Sequence, residues 1–260
     1  MAERGCFTQH GYGVRFEWGP QGARQLAPET ACLVVVDVLS FTTSVTVAVE
    51  RGIRIVPCRW GDERAAALAA EFAARLAVGR REVTAEAPWS LSPAALRRAP
   101  FVPRLVLPSP NGATVAVAAA ESGAVVAAAS LRNAHAVGEW LAAKRYGTSE
   151  RPVGVVAAGE RRADGSLRPA AEDLLGAGAV IAALAATADR TLSPEAALAA
   201  AAYTGTADIA QAVNCCASGR ELTEDGFAED VAVATEPVPE PDSASGAVPV
   251  LTEGAFTAAD

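Results

Sequence analysis

The chain has 260 residues, 51% of them hydrophobic, and a formal net charge of −8, so it can bury a large core. Phosphate backbones are gripped by clustered Lys and Arg; no basic run occurs, which argues against a nucleic-acid partner. No apolar stretch is both long and charge-free enough for a bilayer, "MAERGCFTQHG" does not read as a secretion signal, and five cysteines without CxxC spacing fit a reducing cytoplasm.

The first clear element is the run Ala31 to Val36, short, β-branched and nearly free of polar residues, as expected of a strand covered on both faces. A helix from Thr42 to Arg51 follows, with Gly52 as its natural stop, and Ile53 to Cys58 reads as the next strand. "DERAAALAAEFAARLA" carries a helical stripe of alanine and leucine. Arg104 to Leu107 is a strand leading into "PSPNGATVAVAAAESG", a turn, a helix and a glycine stop. "AVVAAAS" into "LRNAHAVGEWLAAK" repeats strand and helix, and "VGVVAAGERRADGSLRPAAEDLLGAGAVIAALAA" does so again around a longer loop. A helix around Ser193 to Tyr203 precedes "IAQAVNCCASGREL", read as helix into loop. The segment from Glu236 to Gly246 is a turn-rich surface loop before a final short strand. This alternation predicts a three-layer α/β sandwich with a mostly parallel or mixed sheet, residues 1–260 forming one unit with candidate halves 1–100 and 101–260.

In open parallel sheets ligands bind beyond the carboxyl ends of the strands, where helix N-termini attract anions. Four loops are selected by that rule: Asp37 with Ser40, Thr42 and Thr43; Ser109, Asn111, Gly112 and Thr114; Ser130, Arg132 and Asn133; and Gly159, Glu160 and Arg161. Each residue has a plainer use as a helix cap. Together, Asp37 and Glu160 with Arg132 and Arg161 are the types a metal-bridged phosphate requires. Mg²⁺ needs only one or two carboxylates beside its waters, and guanidinium takes phosphate oxygens two at a time. Glu172 and Asp173 either offset the positive end of their helix or join the metal ligands. "GAGAVIAAL" places its glycines inside a helix, which fits tight helix packing better than a nucleotide fingerprint. Cys215 and Cys216 have no histidine nearby, so neither zinc nor Cys-His catalysis is expected. Ser218 and Arg220 in "ASGREL" are further candidates for binding an anion.

The segments "VVVDVLSFTTSVTVAVERG", "PSPNGAT", "AASLRNAHAV", "AGERRADGSLRPAAEDLLGAGAVI" and "SGREL" resemble, in this order, the 2-phosphosulfolactate phosphatase family of coenzyme M biosynthesis. The resemblance implies an Mg²⁺-dependent phosphatase with an α/β fold of two similar halves. It also implies active-site positions at Asp37, Asn111, Arg132, Asn133, Glu160, Arg161, Glu172 and Asp173. One position departs: many members of the family carry arginine after "DVL", where this chain has Ser40. Leu39 stands where a haloacid-dehalogenase-type phosphatase would need its second aspartate, so Asp37 is expected as a metal ligand in preference to a nucleophile of that kind; whether water or a side chain attacks phosphorus stays open.

The expected function is hydrolysis of a small acidic phosphate monoester such as 2-phosphosulfolactate by a cytoplasmic homodimer. Metal is assigned to Asp37, Glu160, Glu172 and Asp173; Asp37, Arg132, Glu160 and Arg161 are the catalytic set. Ser109, Asn111, Gly112, Asn133, Ser218 and Arg220 bind substrate. The alternative is a non-catalytic binding protein for a small anionic metabolite.

Overall fold

The computed structural model describes residues 7–187, 190–236 and 246–259. It opens with β1 (Val14–Trp18), α1 (Gly19–Leu26), β2 (Cys32–Val36), α2 (Phe41–Glu50) and β3 (Arg54–Arg59). There follow α3 (Ala65–Glu71), β4 (Arg75–Leu76), a 3₁₀ turn at Arg80–Glu82, α4 (Pro93–Arg98) and β5 (Arg104–Ser109). Next come α5 (Gly112–Ala120), β6 (Val125–Ala129), α6 (Ala134–Ala143), β7 (Val153–Ala157) and the hairpin of β8 (Glu160–Arg161) and β9 (Leu167–Arg168). The helices α7 (Ala171–Thr187), α8 (Pro194–Thr204), α9 (Ile209–Cys215), α10 (Ala217–Glu224) and α11 (Ala228–Ala234) precede β10 (Pro249–Thr252) and β11 (Ala255–Ala258).

Among the described residues nine strands form one mixed sheet in the order β1-β7-β2-β6-β10-β11-β3-β5-β4. β1, β7, β2 and β6 are mutually parallel, as are β3, β5 and β4. Between these groups lies the antiparallel hairpin β10–β11, joined to one by Val250 opposite Ala127 and to the other by Phe256 opposite Ile55. Three antiparallel pairings in succession make the two groups run in opposite directions. Each group draws strands from both sides of residue 100.

Strand alternation sends successive side chains of β2 to different layers. Leu33 and Val35 share a cluster with Ile55, Leu105 and Leu107 and with Phe41 of α2 and Val115 of α5. Val34 and Val36 pack in another cluster with Val137, Val180 and Ala199 of α6, α7 and α8. Helices therefore cover both faces, which is why the strands lack polar residues and why the fold is an α/β sandwich. The glycines of "GAGAVIAAL" do lie inside α7, and they are there for packing. A Cβ on Gly176 would come within 2.6 Å of Val38, and one on Gly178 within 2.1 Å of the Ala199 carbonyl oxygen in α8.

Three elements differ from the sequence expectation. The alanine-rich helix stops at Glu71, because Ala73 turns left-handed at φ 47° and Ala74 N–H reaches back to the Ala69 carbonyl. Arg75 and Leu76 then pair with Leu105 and Val106 at the sheet edge, where tertiary pairing overrides helix propensity. "ASGREL" is not a loop but α10, started by Cys216, whose sulfur accepts from Gly219 N–H. The final strand is a hairpin in mid-sheet. Most of the loop expected at 236–246 lies outside the described residues. No described helix is long and apolar enough to cross a membrane.

Candidate active site

All five residues of β2 are fully buried, and the chain leaves the strand at Asp37, itself only 4% exposed. The hydroxyls after it hold the turn. Thr42 Oγ1 donates to the Asp37 carbonyl at 2.7 Å and accepts from Asp37 N–H at 2.9 Å, while Thr43 Oγ1 donates to the Val38 carbonyl at 2.7 Å. Asp37 Oδ1 accepts from Phe41 N–H at 3.1 Å, at the start of α2, and Oδ2 from Gly112 N–H at 2.6 Å, at the start of α5. Its carboxylate thus joins two helix N-termini, where negative charge is favoured. Only glycine fits at 112: a Cβ there would lie 2.5 Å from Asp37 Oδ2 and 2.7 Å from the Phe41 ring.

Three more carboxylates converge on this point. Asn111 Nδ2 donates to Glu160 Oε2 at 2.8 Å. Asp173 accepts from Val38 N–H at 2.7 Å and from Gly159 N–H at 2.8 Å, so α7 is tied to the turns after β2 and β7. Glu172 Oε2 accepts from the Cys216 thiol at 3.1 Å. Asp173 and Glu172 are 3% and 1% exposed, so neither serves merely as a surface cap for α7.

Burial with mutual repulsion sets the electrostatics. Burial, the largest cause, raises the Asp37 carboxyl to about 6; Glu172 adds to the rise, and the Phe41 and Gly112 amides and Arg80 oppose it. Glu160 is raised to about 7 by burial and then by Asp37, against the Asn111 hydrogen bond. Asp173 is also raised, by burial first and then by Asp37 and Glu172. The Cys216 thiol is pushed up to about 12 by burial and Glu172, so it is no thiolate nucleophile at neutral pH. Buried carboxylates without enough cations invite either protons or a hard cation. Among the described residues no three of His, Cys, Asp and Glu form a ready metal cage. The all-oxygen donors nevertheless fit Mg²⁺, which takes one or two carboxylates and keeps waters.

Beside Glu160 opens a cavity of about 530 Å³ lined by Trp18, Gln21, Arg24, Asn111 and Arg161. Of the expected residues, Asp37, Asn111, Gly112, Glu160, Glu172 and Asp173 are brought together, with Arg161 exposed at the cavity rim. Ser109 is buried behind them, accepting from Asn111 N–H at 3.3 Å. Others are not gathered. Arg132 pairs with Glu236 and with Glu50, the last residue of α2, about 15 Å of helix from Asp37. Asn133 is fully buried and spent on backbone, accepting from Ser130 N–H and donating to the Ala128 and Ala247 carbonyls. Arg220 faces solvent, 3.9 Å from Glu224.

Two arginines escaped the sequence reading. Arg168 stands directly opposite Glu160 across the β8–β9 ladder, hence on the same face, and donates to Ser218 Oγ at 3.3 Å. The Asp164-Gly165 pair, a hairpin signal, could have revealed that register. Arg80 donates to Ser40 Oγ at 2.8 Å and reaches Asp37 electrostatically. No local pattern marks it, because it arrives from a 3₁₀ turn 40 residues along the chain.

The sequence model of a family described as 2-phosphosulpholactate phosphatase matches residues 20–252. No curated protein matches the chain.

Proposed function

Since the chain belongs to the 2-phosphosulpholactate phosphatase family, we propose that it is an Mg²⁺-dependent phosphoric monoester hydrolase acting on a small acidic ester such as 2-phosphosulpholactate. The observation that carries this reading is the convergence of Asp37, Glu160, Glu172 and Asp173 with Asn111 beside an open cavity. Glu160, with Asp37 behind it, would hold the metal, and the Asn111 amide fixes the Glu160 carboxylate through its 2.8 Å hydrogen bond to Oε2. Bound Mg²⁺ supplies charge neutralisation at the phosphoryl oxygens and a more acidic water. Arg161 at the rim and Arg168 opposite Glu160 bring guanidinium charge to the ester as its leaving oxygen gains charge.

The reading also places the enzyme in the cytoplasm, in keeping with four free cysteines among the described residues, and as a homodimer. A phosphate-release screen over phosphorylated hydroxy acids, with and without Mg²⁺, tests the assignment. Asp37→Asn and Glu160→Gln should each lower turnover by at least about 100-fold, the scale of losing a charge-positioning group. Unchanged turnover in both variants would sink it, and thermal stabilisation by esters without phosphate release would mark a binding protein instead.

A further inference from the structure

A second cavity of about 360 Å³ meets the first at Pro110, which lines both. Its wall is largely apolar, with Trp60, Leu91, Leu222 and Phe227, and its charged groups are Arg80, Arg81, Glu82 and Asp225. Arg81 pairs with Asp225 at 2.8 Å and Glu82 accepts from Gly79 N–H at 3.0 Å, while Arg80 is turned toward Ser40. The Arg80 guanidinium is held on three sides. Nε pairs with Asp230 Oδ2 at 3.2 Å, Nη2 donates to Ser40 Oγ at 2.8 Å, and the Phe227 ring lies 5.6 Å away.

Asp230 is itself fixed: it is 1% exposed and accepts from Ser92 Oγ at 2.5 Å and Ala94 N–H at 3.1 Å. An arginine that merely tied the 3₁₀ turn to α11 would need only the Asp230 pair. This one is also aimed at Ser40, three residues from Asp37, and among the described residues its Nη1 amino group makes no hydrogen bond. Such a guanidinium, already immobilised and 20% exposed in an apolar cleft, binds an oxyanion at little further entropic cost.

We infer that Arg80 is a specificity-determining residue which, from the cavity shared with Trp60 and Phe227, takes a second, non-reacting oxyanion of the substrate, a carboxylate or sulfonate on a short carbon skeleton. The ester then spans Pro110, its phosphate on the Glu160 side and its other anion at Arg80. Identification of that ligand as substrate rests on the phosphatase reading; the binding site itself does not.

The test is calorimetric titration of the full chain, in Mg²⁺, with 3-sulfolactate, malate and inorganic phosphate, for wild type, Arg80→Ala and Arg80→Lys. Arg80→Ala should bind the hydroxy acid about tenfold more weakly while phosphate affinity falls much less, and Arg80→Lys should lie between. Preference for 3-sulfolactate over malate would assign the site to sulfonate, and the reverse to carboxylate. Equal weakening toward phosphate and hydroxy acid, unaltered affinity in Arg80→Ala, or no hydroxy-acid binding by wild type overturns the inference. Should Arg80→Ala fail to fold, the same ratio is read from Arg80→Lys, and no change in it is equally fatal. Absence of phosphate release by wild type, with the binding result intact, would instead count against the phosphatase reading alone.

Discussion

Glu160→Gln should make the protein more stable at pH 8 while disabling it. The folded chain raises the Glu160 carboxyl from an ordinary 4.5 to about 7, chiefly by burial and then by Asp37. Between those values the folded chain keeps a proton that the unfolded chain has lost, so folding takes up a proton and stability falls as pH rises. Above pH 7 the whole penalty is present; at ~1.4 kcal/mol per pH unit it is on the order of 3 kcal/mol. Glutamine removes the charge and keeps an oxygen for the Asn111 amide. Urea unfolding in EDTA at pH 8 and pH 4.5 measures the difference: the variant should gain about 2–3 kcal/mol at pH 8 and nearly nothing at pH 4.5. Added Mg²⁺ should stabilise wild type more than the variant, because only wild type offers the full carboxylate set. A loss of stability at pH 8, or a gain of the same size at both pH values, would refute an acidic cluster frustrated by its own charge.

Gly178→Ala should cost about 1–3 kcal/mol, the usual scale of overpacking, because its Cβ would meet the Ala199 carbonyl oxygen at 2.1 Å. Thermal unfolding measures the cost, and retained wild-type stability would mean that α7 and α8 are not held at this spacing. Asp173→Asn turns one acceptor into a donor facing the Val38 or Gly159 amide. Amide hydrogen exchange at Val38 and Gly159 should quicken about tenfold, as expected when a buried N–H loses its acceptor, and unchanged protection there would deny that Asp173 ties these turns.

Much of this site is legible in the sequence alone. A charge straight after five buried residues had to mark the end of a strand, and Asp37 does. Carboxylates at the starts of helices were legible as caps or ligands, since both uses want negative charge at the same place. The alanine stripe misled beyond Glu71, because local propensity cannot register a vacant sheet edge. Arg132 and Asn133 were placed by the loop rule, yet one is consumed by Glu50 and Glu236 and the other by backbone carbonyls and an amide.

The sequence by itself determined the local order: which runs are buried strands, where glycine ends a helix, and which loops carry acids. Periodicity, chain geometry and capping act within a few residues, and a single sequence displays them. Only the tertiary structure decided who meets whom. The C-terminal hairpin reverses the second strand group, so a shared sheet edge cannot bring Asn111 to Asp37. They meet because the N-termini of α2 and α5 pack against each other at Gly112. Arg80 reaches Ser40 for the same kind of reason, anchored by Asp230 from 150 residues away. Contacts between groups so distant in the chain are fixed by packing of the whole, and no local pattern encodes them.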